Sequence, residues 1–384
     1  MTGFFCRTSQ GLSGPYSMVP LMLCPFDSTV ILPRAREVSS IWEYYFNTSP
    51  SQGGILFVTL GMKHEELRST IESALLSLAC ADALGTVYEF KSRAELQTVE
   101  CVTMMVGGGT HGQPAGVYSD DTCLTLCLAD SLCFGYDIRD IGRQFCLWFT
   151  EGHWAADYAT VFDIGGVTRE AILKMLQGVS PLDSGLSHEH SKGNGSLMRV
   201  LPLVFYTYIK DIPIHERYEL TREVSAITHA TQTCTTACFY YLEYAKLLLD
   251  GKDKFEAYWQ SNKIVRDHLL YLRVPEDEMQ HFNRILDGRI YELAMSEIYS
   301  GGYVVETLEA ALYCLLNCDT LEAVAENCIR LGSDTDTVSA VASGLQGLLL
   351  TSKEEIPADW LAHLARRQDI EALAARLAAS LCQG

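Results

Sequence analysis

From Ile71 to the C-terminus the sequence is a succession of long segments whose apolar residues recur at helical spacing: "IESALLSLACADALG", "TCLTLCLADSLCFGY", "GRQFCLWF", "TREAILKMLQG", "EVSAITHATQTCTTACFYYLEYAKLLLDG", "VVETLEAALYCLLN", "LEAVAENCIRLG" and "DTVSAVASGLQGLLL". Their lengths and 3.6-residue period predict helices, and several stop at Gly or Asn as helix ends do. The body of the chain is therefore predicted to be all-α. No internal repeat of about 30 to 45 residues is present, so a compact orthogonal helical bundle is expected rather than a solenoid.

The first 66 residues have a different texture. "GLSGPY", "LPR" and "NTSPSQGG" supply turn chemistry, and only "SSIWEYYFN" offers a short capped helix. The expected organisation is an N-terminal extension over 1–66, partly mobile or partner-binding, followed by the helical body over 67–384.

Charge and cysteine usage exclude several classes. A formal net charge of −19 argues against nucleic acid as a partner, since phosphate-backbone binding needs clustered Lys and Arg. No run approaches the ~18 apolar residues of a membrane span. "SMVPLMLCPF" at 17–26 lacks the basic flank and small-residue cleavage site of a targeting signal. The 14 cysteines include no CxxC pair, which points to free thiols in a reducing cytoplasm. Cys123/Cys127, Cys234/Cys238 and Cys314/Cys318 are each four apart, so each pair is expected to share a helix face and pack as small hydrophobes.

Two helix starts carry the chemistry. "YSDDT" opens one helix with Ser119, Asp120 and Asp121, and "LGSDTDT" opens another with Asp334, Asp336 and Thr337. Carboxylates are favoured at helix N-termini, so ordinary capping explains one acidic start. It does not explain two, each with more carboxylate than a cap uses. Four carboxylates and two hydroxyls with no soft ligand suit hard cations, Mg²⁺ or Mn²⁺, provided the two starts converge.

These motifs, together with "SALLSLACADALGTVYEF" (73–90), "FDIGGVTREAI" (162–172), "GNGSLMRVLPL" (193–203), "THATQTCTTAC" (228–238) and "GGYVVETLEAAL" (301–312), resemble the ADP-ribosylglycohydrolase family in order and spacing, from about residue 69 to the C-terminal "IPADWLAHL". The resemblance implies an all-α fold with a cleft holding two metal ions, two Mg²⁺ or Mn²⁺, at the base of an ADP-ribose site. It implies Ser119, Asp120 and Asp121 as one ligand set and Asp334, Asp336 and Thr337 as the other. Glu89 matches a family glutamate beside the metals that guards or protonates the site, and Asp163 an acidic position, not kept in every branch, that faces the scissile ribose, giving with Asp120 and Asp334 the catalytic group. Acid and base are not assigned between Glu89 and Asp163. Asn194, Gly195 and Ser196 are implied at the pyrophosphate, with Met198 and Arg199 packed beneath them, and His229 near the phosphates or ribose. Read by themselves, a Gly-Asn-Gly loop is an ordinary turn and a lone helix histidine is structural.

"HEH" at 188–190 is expected to be a solvated loop, and "GGGTHG" at 107–112 a flexible approach to the first metal entrance. "DIGGVTR" departs from the family at Gly166 and Val167, where Asn and Thr are common, which leaves the linkage open. The expected activity is metal-dependent removal of ADP-ribose from a modified protein side chain, arginine first. Alternatives are serine-linked ADP-ribose, poly(ADP-ribose) or O-acetyl-ADP-ribose, a non-catalytic ADP-ribose- or partner-binding member, and a purely structural helical protein. In the extension, Trp42, Tyr44, Tyr45 and Phe46 form an aromatic cluster of the kind enriched in interface anchors. It is expected to dock on the body or to bind an ADP-ribosyltransferase toxin in an immunity role.

Overall fold

The two helix starts singled out above are brought together by one pair of helices. The computed structural model describes residues 64–383; the aromatic cluster and "SSIWEYYFN" lie outside the described residues. The first helix of the described residues is His64–Gly85. Apart from its first turns this helix is buried on all sides, and it packs against helices Thr335–Gly347 and Arg367–Cys382.

Small residues make that packing close. A Cβ on Gly347 would stand 2.6 Å from the Cα of Ala74, and a Cβ on Gly85 would stand 2.5 Å from the backbone nitrogen of Asp336. The two helices therefore run antiparallel, with bare backbone in contact at both ends. Side chains larger than hydrogen at these positions would push the axes apart.

Around this pair stand helices Asp120–Leu132, Ile138–Glu151, Gly166–Leu176, Pro202–Ile209, Ile214–Ala226, Gln232–Leu249, Lys254–Tyr271, Val304–Asn317 and Leu321–Leu331, with shorter turns between them. Among the described residues there is no strand, only isolated bridges such as Gly193 with Tyr303. The all-α expectation holds. One boundary differs from it: the stretch from Glu223 to Gly251 has a single apolar period but forms two helices. The chain turns at Ile227–Thr231, and the Thr231 hydroxyl accepts the Cys234 N–H at 3.2 Å to start the second. A local cap here prevails over a continuous period.

All twelve cysteines among the described residues are free thiols, and the three i, i+4 pairs are buried in the core. "HEH" forms an exposed 3₁₀ turn. No helix of the described residues is long and apolar enough to cross a membrane.

Candidate active site and metal centre

The two acidic helix starts meet. The Thr337 hydroxyl donates to Asp121 Oδ1 at 3.3 Å, joining residues 216 apart in sequence. Ser119 caps the first helix conventionally, its hydroxyl accepting the Asp121 N–H at 3.2 Å. Asp334 occupies the cap position of the second helix but makes no side-chain cap bond; its Oδ2 instead accepts from Asn194 Nδ2 at 2.7 Å. Asp336 Oδ1 accepts the Thr337 N–H at 2.9 Å. The carboxylates exceed what capping uses.

Beneath them lies Asp82, from the interior of helix His64–Gly85. It accepts the backbone N–H of Ser119 at 2.9 Å, and the N–H and hydroxyl of Thr122 at 3.0 and 2.5 Å. A residue of one helix thus caps another and sets the height of Asp120 and Asp121. Oxygens of Asp82, Asp121 and Asp336 lie within 4.8 Å of one another, as do those of Glu89, Asp334 and Asp336.

These residues fit divalent cations. Asp121 Oδ2 and Asp336 Oδ2 are buried without any hydrogen-bond partner. Among the described residues no Lys, Arg or His side chain pairs with Asp82, Asp120, Asp121, Asp334 or Asp336. Burial, and then the charges of their neighbours, push the carboxyls of Asp120, Asp121 and Asp336 well above the usual range. Unpartnered buried carboxylates are costly, and an all-oxygen set of this kind is what hard cations bind.

Above the aspartates a cleft of about 520 Å³ opens, within the ~300–1,000 Å³ range of small-molecule sites. Glu89, Asp120, Asp121, Asp163, Asp334 and Thr337 line its acidic end. Asp163 is held in the left-handed region at φ +61°, a conformation that a non-glycine residue adopts only when its surroundings enforce it. Between Glu89 and Asp163 sits His111, which the sequence did not single out. Its Nε2 contacts the Glu89 carboxylate directly and lies 3.4 Å from Asp163 Oδ1. The Phe162 ring packs against the imidazole at 5.3 Å between centroids. The Gly-rich loop expected to be a flexible approach is instead tied down: Thr110 Oγ1 donates to the Glu89 carbonyl at 2.8 Å and Gly108 N–H to the Gln113 carbonyl at 2.7 Å. Burial, and next the Asp334 charge, push Glu89 up to about 8. Burial, and next the Glu89 charge, push Asp163 up to about 7.

Gly193, Asn194, Gly195 and His229 also line the cleft, Asn194 directly beside Asp334. A Cβ on Gly195 would meet His229 Cε1 at 2.8 Å and Thr168 Oγ1 at 2.9 Å, so glycine allows the backbone to reach the cleft surface here. Ser196 does not line the cleft. Its hydroxyl accepts from Ser225 Oγ at 3.0 Å and is within 3.5 Å of Cys238 Sγ, pointing into the body. Asn194 spends its amide on Asp334 and on Thr307 Oγ1, at 2.9 Å, and so acts first as a brace for a cluster aspartate. Arg199 is wholly buried below the loop and donates to the Gly195 carbonyl and, at 2.8 Å, to Thr228 Oγ1. His229 Nδ1 bonds Thr228 Oγ1 at 2.8 Å; burial, and then the Arg199 charge, push its pKa down to about 3, so the ring is neutral.

Comparison with known proteins decides what kind of cleft this is. The family model for ADP-ribosylglycohydrolase matches residues 63–383. The chain belongs to the ADP-ribosylglycohydrolase family. ADP-ribosylarginine hydrolase Tri1 of Pseudomonas putida is 29% identical over 322 residues, covering 82% of this chain and 79% of its own. ADP-ribosyl-[dinitrogen reductase] glycohydrolase of Rhodospirillum rubrum is 26% identical over 302 residues, covering 78% and 91%. A solved ADP-ribosylglycohydrolase-related protein complex shares the fold with a TM-score of 0.67 at 28% identity, covering 82% of this chain and 99% of that one.

As an ADP-ribosylglycohydrolase, the chain is a hydrolase acting on ADP-ribose linkages, with clustered acidic groups able to hold metal ions. Two residues of the site have roles that the sequence reading did not assign, although Asp82 is kept where the family motif carries an Asp. Asp82 lies in an apolar helix with nothing beside it to mark its long-range partners, and His111 is a lone histidine among glycines. The one local signal is that both are polar groups where the local pattern calls for none.

Proposed function

We propose that this ADP-ribosylglycohydrolase is a metal-dependent enzyme that releases ADP-ribose from modified arginine side chains of proteins. The observation that supports it most is the cleft itself. Asp121, with an unpartnered buried carboxylate oxygen, lines it together with Glu89, Asp163 and Asp334, and the equally unpartnered Asp336 clusters with Asp121, Glu89 and Asp334. Arginine is favoured over other linkages by the similarity to proteins named ADP-ribosylarginine hydrolase.

Ser119, Asp120, Asp121, Asp334, Asp336 and Thr337 would hold two Mg²⁺ or Mn²⁺. Bound there, the cations supply Lewis-acid polarisation of sugar oxygens. The chain's own residues do the rest. Gly193 and Gly195 let the backbone approach the pyrophosphate, and His229, being neutral, offers a ring without a charge to a ribose or phosphate oxygen. Glu89 and Asp163 divide two duties: delivering a proton to the guanidine nitrogen that takes the electron pair as its bond to the anomeric carbon breaks, and taking a proton from the water that attacks that carbon. A carboxyl group pushed toward neutrality can retain a proton for that purpose. His111, lodged between them, fixes their separation.

The same proposal extends to biology. Reversal of a toxin's ADP-ribosylation, in the cytoplasm, is the suggested role, with the aromatic cluster of the 1–66 extension as the toxin-binding element. Free thiols throughout the described body fit a reducing compartment. Removing residues 1–63 tests the extension: loss of toxin binding with retained hydrolysis is expected.

The deciding experiment measures free ADP-ribose released from arginine-ADP-ribosylated protein, with and without Mg²⁺ or Mn²⁺, by wild type and by the Asp334→Ala/Asp336→Ala double variant. Metal-dependent release that the double variant lacks is the expected result. No release from this substrate, with release from serine-linked substrate, would overturn the arginine assignment.

A further inference from the structure

A second depression, about 700 Å³, adjoins the cleft and is bounded by Phe90, Lys91, Ser296, Tyr299, Gly301 and Ser333. We infer that this groove docks the polypeptide segment flanking the ADP-ribosylated side chain of a protein substrate. The inference rests on the reading that the chain hydrolyses ADP-ribose from proteins.

Continuity is the first argument. Phe90 lines both depressions, and two pairs of consecutive residues divide between them: Gly301 and Ser333 face the groove, Gly302 and Asp334 the cleft. The groove therefore opens beside Glu89 and Asp334. With the bond to be broken at the acidic end, the protein attached to the far side of that bond must leave the cleft there, past Glu89 and its neighbour Phe90. The groove lies on that path.

The second argument is its surface. Phe90 and Tyr299 are 66% and 62% exposed and lie on the same groove. Phe90 is not exposed through slackness. It sits in the left-handed region at φ +64°, as does Ser333, and the two are clasped: Phe90 N–H donates to the Ser333 carbonyl at 2.7 Å and Ser333 N–H to the Lys91 carbonyl at 2.8 Å. A bulky residue in that conformation is strained, and such strain persists where surrounding structure enforces it. The ring is thus held out in water by the backbone. Exposed, fixed aromatic faces of this kind serve as anchors for a partner's apolar side chains.

The third argument is rigidity. The Arg93 guanidinium under the groove donates to three carbonyls, Leu331 at 3.0 Å, Met295 at 2.6 Å and Ile298 at 2.5 Å, tying three segments together. Ser300 Oγ donates to the Gly332 carbonyl at 2.8 Å. A surface already ordered loses little on binding.

The test uses the full chain with Mg²⁺ and one linkage on two carriers: ADP-ribosylated agmatine, which has the guanidinium but no polypeptide, and an arginine-ADP-ribosylated protein. Tyr299→Ala removes an anchor, and Ser296→Trp fills the groove. Each is expected to raise KM for the modified protein about tenfold while leaving kcat/KM for ADP-ribosyl-agmatine within about twofold, the loss of one interface anchor. Tyr299→Phe, which keeps the ring, should behave as wild type. Equal losses on both carriers, or no change on either, would overturn the assignment. Failure of wild type to cleave either carrier would instead remove the arginine reading, and the groove assignment with it.

Discussion

Asp82 accepts both the backbone N–H of Thr122, at 3.0 Å, and its hydroxyl, at 2.5 Å. The first turn of the helix bearing Asp120 and Asp121 is thereby fastened to the interior of another helix. Asp82→Ala leaves buried donors without an acceptor, at ~1–3 kcal/mol for each such group. With three such donors the loss is about 3 kcal/mol or more, so a fall in Tm of at least roughly 6 °C is expected for the metal-loaded protein, on the usual ~2–4 °C per kcal/mol. Asp82→Asn, which keeps one acceptor oxygen, should lose less. Thermal unfolding that places the two variants together would show that the acceptor oxygens are not what matters.

Metal should stabilise the fold as well as serve the reaction. A cation bound only by the folded chain adds about 2.7 kcal/mol at a hundred times its dissociation constant. Mg²⁺ or Mn²⁺ titration of chelated protein should raise Tm, and Asp121→Asn/Asp336→Asn should abolish the shift while raising the metal-free Tm. The second effect follows because burying a neutral amide is less costly than burying a second carboxylate beside Asp82. A Tm indifferent to both cations would contradict a metal centre here.

His229 gives a pH dependence of definite sign. Its folded pKa is pushed down to about 3, whereas an unfolded histidine titrates near ~6.5. Between these values the unfolded chain holds the extra proton, so this contribution is fully present above the unfolded pKa and is lost as pH falls toward the folded one. The Tm advantage of wild type over His229→Gln should shrink as pH is lowered from about 7.5 to about 5. An advantage that is constant or grows would mean the ring is charged in the folded protein.

His111→Ala should act on turnover more than on binding. With the imidazole gone, Glu89 and Asp163 lose the group lodged between them, and two buried carboxyls are free to shift. A fall in kcat of roughly 10- to 100-fold is expected, less than the ~10²–10⁴-fold that a positioned acid–base group itself contributes because His111 acts through its neighbours, with KM changed by less than about threefold. His111→Gln, able to bond both carboxyls, should recover part of it. Equal rates for wild type and both variants would make His111 a bystander.

How far the sequence foretold this can be judged residue by residue. The helices are legible because apolar period and stop signals are local properties, and the two acidic starts are legible because each carries more carboxylate than a cap can use. Their meeting is not local: Thr337 and Asp121 touch only because helices far apart in sequence pack side by side. Asp82 is legible as a kept motif position, but its role is hidden for the same reason, its partners being 37 and 40 residues away. The Ser196 hydroxyl shows a different limit. A Gly-Asn-Gly-Ser loop announces close backbone approach, but not which side of the loop a hydroxyl will face, and here Ser225 draws it inward. The helix break at Ile227–Thr231 was masked by apolar residues that continue the period through the turn.

The contact of Gly347 with Ala74 has a consequence at a distance. Gly347 and Asp336 lie at opposite ends of helix Thr335–Gly347, a stiff rod of roughly 16 Å between them at 1.5 Å per residue. A methyl group added at Gly347 would press on Ala74 and lever the far end, where Asp336 must meet Asp121 and Asp82. Genetic screens for loss of activity should therefore recover substitutions at this remote junction, and because the atoms met first are the Ala74 Cα and the Ser73 carbonyl, smaller side chains at those two positions should not suppress them.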